Sequence, residues 1–339
     1  MSYHLSCHHQ LAEINAQAYA ALWRDCRQPA FYHPDLLAAA ERHPLLPALA
    51  TYYLAAWQGE RLEALLVVYQ QSQPDPFGTL AKSTGFHFTA PLGGLLGHIA
   101  HCYDTQILHR PGSEDAAQHV MTKLMALAGR QGIPGCGLLN LSAGPSLSAA
   151  ERAGYSCHFM HDRFFIDLMP FERFEDYLAA LPRDGRHEMK RQLRKFDSER
   201  GSYRVLPGRN ASLAAAVRLC HATSARNGTP HYYPIPEFLH FLETCGDLIT
   251  VVQVEHQGQL VAAVICLNEP QCLHLWAGGV DYRLSGFSPY TIMIAAGVQY
   301  AFSQRIRRIE MGRTNARIKA RLGCRSQPLY SALSPREVA

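Results

Sequence analysis

The sequence predicts an α+β (mixed α/β) protein built from two tandem units. Each half contains a two-strand segment around a Gln-Gly pair, LAAWQGERLEALLVVY at 54–69 and VVQVEHQGQLVAAVICL at 251–267. Each half then continues with a helix and a strand, and closes with a helix end, a glycine and a last strand. A chain of 339 residues also exceeds the usual size of one hydrophobic core, so two units are expected.

The individual elements follow from local patterns. Gln58-Gly59 and Gln257-Gly258 each separate two apolar runs, which predicts a β-hairpin in each half. The segments HVMTKLMALAGRQG (119–132) and YTIMIAAGVQYAFSQR (290–305) carry apolar residues at three- and four-residue spacing. This spacing predicts helices with one core-facing stripe.

The predicted boundaries are a first unit at 1–170, a basic connector helix at 171–204 and a second unit at 205–339. Within the connector, Arg186, Lys190 and Arg194 are four residues apart and share one face of the helix. Such a face is either solvated and paired with neighbouring acids, or it meets a phosphate or carboxylate of a substrate.

Composition indicates a folded cytoplasmic protein. The chain is 47% hydrophobic and 18% charged, no apolar run has the length of a membrane span, and the N-terminus lacks a secretory signal. Its ten cysteines form no C-x-x-C pair, which predicts reduced thiols. The histidine pairs His98/His101 and His8/His9 have no acidic or cysteine partner at ligand spacing, so no metal site is predicted.

Positive charge is concentrated in two short segments. Residues 183–204 have a net charge of +4, and residues 305–325 have a net charge of +7. Because the rest of the chain is acidic, this distribution favours an anionic ligand over a chain-wide nucleic-acid coat. No recognition-helix or zinc-finger pattern is present, so DNA is not an expected partner.

The most informative stretch is 281–330. It contains Arg283-x-x-Gly286-x-Ser288 immediately before a helix, where backbone N–H groups can converge on a phosphate. Lys319 follows in a second, basic helix, four residues before Gly323. A phosphate-binding turn followed by a lysine at a helix end predicts an acyl-transfer site.

These motifs resemble the Gcn5-related N-acetyltransferase (GNAT) superfamily. Arg283, Gly286 and Ser288 fill its pyrophosphate-turn pattern, with Ser in place of the usual Gly or Ala. Asn315 opens a helix that ends ARLG, and Lys319 stands where the family's general-acid Tyr usually lies. This lysine, with the Arg-rich segment LPRDGRHEMKRQLRK, resembles the duplicated-GNAT N-acyltransferases related to Fem-type peptidyltransferases. The resemblance implies two tandem GNAT-like units, each a mostly antiparallel central sheet flanked by helices.

The resemblance also suggests roles for individual residues. Lys319 would contact the acyl carbonyl, and Arg283, Gly286 and Ser288 would hold the donor's phosphates. Because the first half has Ala150 at the position of Lys319, it is expected to be non-catalytic and to serve as a scaffold or acceptor site. For handling the amine proton, the candidates lie on or beside the site strands: Glu310, His274 and Asp281. The candidate substrate contacts are Arg186, Lys190, Arg194, Tyr232 and Trp276.

The predicted activity is therefore N-acyl transfer from an activated donor to an amine, with no tightly bound cofactor. Two donors fit the sequence: the Arg283 turn favours acyl-CoA or a related thioester, and the basic segments favour an aminoacyl-tRNA. Acyl-CoA is the first expectation, and Fem-type aminoacyl transfer is the alternative. A non-catalytic ligand-recognition protein on a degenerate GNAT pair is a further alternative. The sequence does not identify the acceptor.

Overall fold

A computed structural model describes residues 2–72, 79–87, 93–97 and 101–334 of the chain. His98, one of the histidines considered for metal binding, lies outside these residues. The chain divides into two compact units, one of residues 1–162 with 328–339 and one of residues 163–327. This division differs from the predicted boundaries at three places: residues 163–170 and the connector helix belong to the second unit, and the end of the chain belongs to the first.

The first unit begins with a strand and alternates hairpins with helices. Its strands are β1 (His4–His8), β2 (Ala48–Gln58), β3 (Arg61–Gln71), β4 (Gly94–Gly97), β5 (Leu108–His109) and β6 (Cys136–Ser142), and its helices are α1 (Ala16–Asp25), α2 (Pro34–Arg42), α3 (Thr79–Thr84), α4 (Glu114–Gln131) and α5 (Pro145–Arg152). Strands β7 (Ser156–Asp167) and β13 (Arg325–Leu333) contribute residues to both units.

The sheet of the first unit is mostly antiparallel. Its order is β1-β2-β3-β4-β6-β13-β7, with β5 paired to β3, and β4 and β6 are parallel. The predicted hairpin between β2 and β3 is confirmed, although its loop is Gly59–Glu60 because Gln58 still pairs with Arg61. The end of β13 pairs with β6, which explains why the last residues join the first unit.

The second unit repeats this order of elements. Its strands are β8 (Ser202–Pro207), β9 (Ile249–His256), β10 (Gln259–Asn268), β11 (Cys272–Val280) and β12 (Arg308–Glu310), and its helices are α6 (Phe174–Ala180), α7 (Arg183–Ser198), α8 (Leu213–Arg226), α9 (Ile235–Thr244), α10 (Pro289–Ser303) and α11 (Ala316–Arg321). The sheet order is β7-β12-β11-β10-β9-β8. The predicted β9–β10 hairpin is confirmed, with Gln257 and Gly258 both at positive φ, as a tight two-residue turn requires.

Helices α7 and α10 pack on the core of the second unit. Helix α10 is apolar on most of its surface and is buried along most of its length. Helix α7 is strongly charged, yet Gly185, Met189, Gln192 and Phe196 form a buried stripe along it. This stripe is why the predicted connector is an integral part of the second unit.

The α+β prediction, with two similar units and mostly antiparallel sheets, is confirmed. All ten cysteines are free thiols. In the part of the chain that the structure describes, no helix combines the length and the apolar character needed to cross a membrane.

Candidate functional site

The pairing of two parallel strands in the second unit ends part-way along β11. Strands β11 and β12 pair only from Cys272 to His274, opposite Arg308 to Glu310. Beyond Glu310 the chain continues along β7, where the Met311 N–H donates to the Phe164 carbonyl at 2.8 Å. Strand β11 continues to Val280 and stays paired with β10 on its other side. The β11–β12 pairing therefore ends at His274 and Glu310, two of the predicted site residues.

The part of β11 that lies beyond its pairing with β12 contains a β-bulge. Ile265 pairs with Ala277 and Cys266 pairs with Leu275, so Trp276 is an extra residue in the strand. The Trp276 indole packs against Phe238 and Phe241 of α9, with ring centroids 5.7 and 5.9 Å apart. Bulges redirect backbone groups beside functional sites. Trp276, a predicted substrate contact, thus lies on a distorted part of β11.

Lys319 lies on α11 with its amine buried. The helix follows Asn315, which has a left-handed backbone, and Gly323, also at positive φ, comes just after its end. The Lys319 side chain is only 3% exposed, and its Nζ lies 5.1 Å from the centroid of the Phe164 ring. Burial lowers the pKa of this amine to about 8, with Cys324 and Glu310 opposing and Arg313 reinforcing the effect.

A lysine in this state can serve two chemical roles. With a pKa of about 8, about one amine in ten is neutral at pH 7, so the group can both donate and accept a proton. In its charged form, it can stabilise an oxyanion in a low-dielectric environment.

The buried charge should affect stability in a pH-dependent way. Since the pKa of Lys319 is 10.5 unfolded and about 8 folded, keeping the amine charged costs about 3 kcal/mol of folding free energy at neutral pH. This cost disappears as pH rises from about 8 to about 10.5, because the folded protein then releases the proton first. We expect Lys319→Met to be more stable than the parent at pH 7, with the advantage shrinking at about pH 10. Urea unfolding at both pH values measures this, and a pH-independent difference would contradict it.

His274 and Glu310 are neighbours at the end of the β11–β12 pairing. They are paired residues of β11 and β12, and each is 1–2% exposed. The His274 Nε2 atom lies 2.9 Å from Glu269 Oε1, and Glu310 Oε1 accepts a hydrogen bond from Arg308 at 2.6 Å. The structure thus brings two of the predicted proton-handling residues together, each with a charged partner, and their catalytic role stays a prediction.

Asp281 and Arg283 bind each other. The Asp281 carboxylate accepts hydrogen bonds from the backbone N–H, Nε and Nη2 of Arg283 at 2.7–3.0 Å. These contacts lower the pKa of Asp281 to about 2, and a carboxylate with so low a pKa is a weak base. The Arg283 side chain is 87% exposed. Separate roles were predicted for these two residues, whereas the structure joins them in one ion pair at the surface.

In the turn that resembles a pyrophosphate site, backbone N–H groups bind two side chains, one from α7 and one from the residue just after this helix. The Gly286 N–H donates to Glu199 Oε2 at 2.9 Å, and the Ser288 N–H donates to Gln192 Oε1 at 2.7 Å. A Cβ atom on Gly286 would lie 2.2 Å from Glu199 Oε1, so glycine permits this close approach. The Ser288 hydroxyl caps α10 by accepting from the Thr291 N–H. Two backbone donors expected to face a phosphate therefore already have oxygen partners.

Further contacts hold this arrangement in place. Lys195 Nζ donates to the Gly286 carbonyl at 3.1 Å. His256 Nδ1 donates to the Leu284 carbonyl at 2.6 Å, and its Nε2 lies 3.5 Å from Glu199 Oε2. Sequence reasoning missed Gln192, Glu199 and His256 as members of this network. The only signal pointing to it was the glycine at 286, which indicates a close approach without naming its partner.

The predicted substrate contacts are distributed over two regions. On α7, Lys190 and Arg194 are exposed, whereas Arg186 donates to the Ala179 carbonyl at 2.7 Å. Tyr232 lies in the short helical turn Pro230–Tyr232 and its hydroxyl accepts from Arg313 at 3.4 Å. Arg313 thus links the Tyr232 loop to the segment just before α11, the helix that carries Lys319.

Comparison with known proteins identifies the fold. A family model described as an acetyltransferase (GNAT) domain matches residues 183–320, and no curated protein sequence matches the chain. Among solved structures, FemX superimposes with a TM-score of 0.65 at 9% identity, covering 96% of each chain. L-PGS from Bacillus licheniformis gives a TM-score of 0.58 at 10% identity, covering 94% of this chain and 91% of its own.

A tandem GNAT protein from the clavulanic acid biosynthesis pathway also shares the fold. Its TM-score is 0.52 at 13% identity, and the match covers 99% of this chain and 100% of that protein. At these identities the likeness concerns the fold alone. Residues 183–320 are thus similar to a GNAT acetyltransferase domain, and the chain shares the fold of FemX and of a tandem GNAT protein.

Proposed function

We propose that this protein is an N-acyltransferase that takes an aminoacyl group from a tRNA-linked ester and transfers it to an amine. The choice of this donor rests on the predicted phosphate turn, whose backbone N–H groups already have hydrogen-bond partners. The Gly286 and Ser288 N–H groups are bound by Glu199 and Gln192. A pyrophosphate would have to displace a carboxylate that already satisfies the same donor, and the two anions would repel each other.

In the proposed reaction, the acceptor amine attacks the ester carbonyl where the pairing of β11 and β12 ends. The carbonyl carbon forms a bond to nitrogen, the bond to the ribose oxygen breaks, and the amine's proton ends on the departing hydroxyl. Lys319 stabilises the tetrahedral oxyanion in its charged form. Its lowered pKa also suits the transfer of the proton to the leaving oxygen.

The proposed RNA contact is the exposed side of α7. Lys190 and Arg194 are exposed on it at four-residue spacing, whereas Arg191 is paired with Glu188. Phosphate contacts from such side chains dominate nucleic-acid affinity. The acceptor is an amine whose wider chemistry stays open.

A charge-reversal experiment tests the RNA contact. We expect Lys190→Glu/Arg194→Glu to weaken binding of fluorescent aminoacyl-tRNA by about tenfold at low salt, and to reduce the slope of log K against log salt by about 1.5. The matched control is Arg42→Glu/Arg130→Glu, two exposed arginines of the first unit. Fluorescence anisotropy across a salt series measures both quantities. Equal effects of the two double variants would contradict a specific contact on α7.

Acyl-CoA is the second candidate donor. The match of residues 183–320 to a GNAT acetyltransferase domain favours it, as does the exposed Arg283 side chain. For this donor, Glu199 and Gln192 would have to leave the turn before the pyrophosphate could bind. Turnover measured with each donor separates the two candidates, because only acyl-CoA requires Glu199 and Gln192 to leave the turn.

A further inference from the structure

The hairpin between β10 and β11 brings together three side chains with metal-ligating chemistry. Glu269 and Cys272 flank the two-residue loop Pro270–Gln271, and their backbones bond each other at 2.9 and 3.4 Å. His274 follows two residues after Cys272, so both side chains lie on the same face of β11. The pattern Glu-x-x-Cys-x-His is thus held on a hydrogen-bonded hairpin.

The three groups converge on one point. One ligand atom from each lies within 4.8 Å of the other two. Cys272 and His274 are buried, and the Glu269 side chain is 17% exposed, which gives an ion access from the surface. We propose that Glu269, Cys272 and His274 bind a divalent transition-metal ion of the zinc class.

The donor set fits such an ion. Zinc accepts thiolate, imidazole and carboxylate ligands in a tetrahedral arrangement. One carboxylate and one thiolate balance the two positive charges of the ion, so the occupied site would be neutral, as a buried site requires. In the metal-free state, His274 Nε2 lies 2.9 Å from Glu269 Oε1, and the ion would replace this contact.

Strand β12 supplies the surroundings of the site. Arg308 is paired with Cys272 and Glu310 with His274, and Arg308 binds Glu310 Oε1 at 2.6 Å. Three protein ligands leave a fourth tetrahedral position for water or for the Glu310 carboxylate. Because His274 is the last residue of β11 that pairs with β12, the metal would fix the strands where they separate. This inference does not depend on the proposed acyl transfer.

Cobalt substitution tests the site on the full-length protein. Titration of the metal-free protein with Co²⁺ is expected to give one equivalent of binding, with intense visible bands of tetrahedral cobalt and a near-ultraviolet thiolate-to-cobalt charge-transfer band. Cys272→Ser should lose the charge-transfer band, and Cys157→Ser, a half-buried cysteine of β7, should keep it. A band that survives in Cys272→Ser would overturn the assignment.

A second variant tests the site independently, in case Cys272→Ser does not fold. Glu269 is partly exposed in a loop, so Glu269→Gln should fold, and we expect it to bind Co²⁺ at least about tenfold more weakly. Zn²⁺ should raise the melting temperature of the parent and of Cys157→Ser, but have little effect on Glu269→Gln. Unchanged cobalt affinity in Glu269→Gln, or no cobalt binding by the parent protein, would refute the site.

Discussion

Replacing Lys319 with alanine is expected to lower turnover by about 10²–10³-fold while donor binding changes little. The reason is that the buried ammonium acts on the oxyanion, which exists in the transition state and not in the bound donor. Loss of such a group lowers kcat and kcat/KM together. Initial rates and donor titrations on the same preparation measure the two quantities.

Two further variants separate chemistry from packing. Lys319→Met keeps most of the side-chain volume without the charge, so it should fold well and remain as inactive as Lys319→Ala. The control is Lys123→Ala, because Lys123 on α4 also has a tethered amine, which donates to the Leu5 carbonyl at 2.9 Å. If Lys319→Met were active, the lysine would contribute only its side-chain volume and not its charge.

Substituting Gly185 with alanine should be the most destabilising single methyl addition in the second unit's helices. A Cβ atom at this position would lie 1.8 Å from the Arg321 carbonyl oxygen, a backbone atom that no rotamer change can move. Helix α7 would have to shift away from α11, at a cost of about 1–3 kcal/mol or more. Since α11 carries Lys319, we expect turnover to fall as well.

The matched control is Gly129→Ala on α4. Gly129 is also a helical glycine, but a Cβ atom there meets nothing within 4 Å. The same substitution should therefore stabilise the protein by about 0.5–1 kcal/mol through helix propensity. Urea midpoints at unchanged m-value give both differences. Equal midpoints for the two variants would contradict the close packing of α7 on α11.

Local patterns predicted much of the fold. The two hairpins, helix α10 and the helix that runs from Asn315 towards Gly323 follow from turn residues and spacing, because neighbours in the chain determine these features. The pairing of β13 with β6 of the first unit was not predictable from local patterns. Its partner β6 is far away in the chain, and an apolar strand does not specify which sheet edge it joins.

The site was predictable only as a set of residue types. The motif around Arg283 indicated a phosphate turn, but its occupants Glu199 and Gln192 are 87 and 96 residues away from the amides they bind. No local pattern encodes a contact of that kind. The burial of Lys319 likewise depends on Phe164, a residue of a distant strand. Sequence therefore identified the candidate lysine, and the fold supplied the reason for its lowered pKa.

The most direct test of the proposed function compares donor turnover by the parent protein and by Lys319→Met. Labelled aminoacyl-tRNA and acetyl-CoA are each incubated with enzyme and an excess of a panel of small amines. We predict amine-dependent loss of the amino acid from tRNA with the parent protein, no acceleration with Lys319→Met, and no release of free CoA thiol with either. Release of CoA thiol that requires Lys319, without any deacylation of tRNA, would contradict the account.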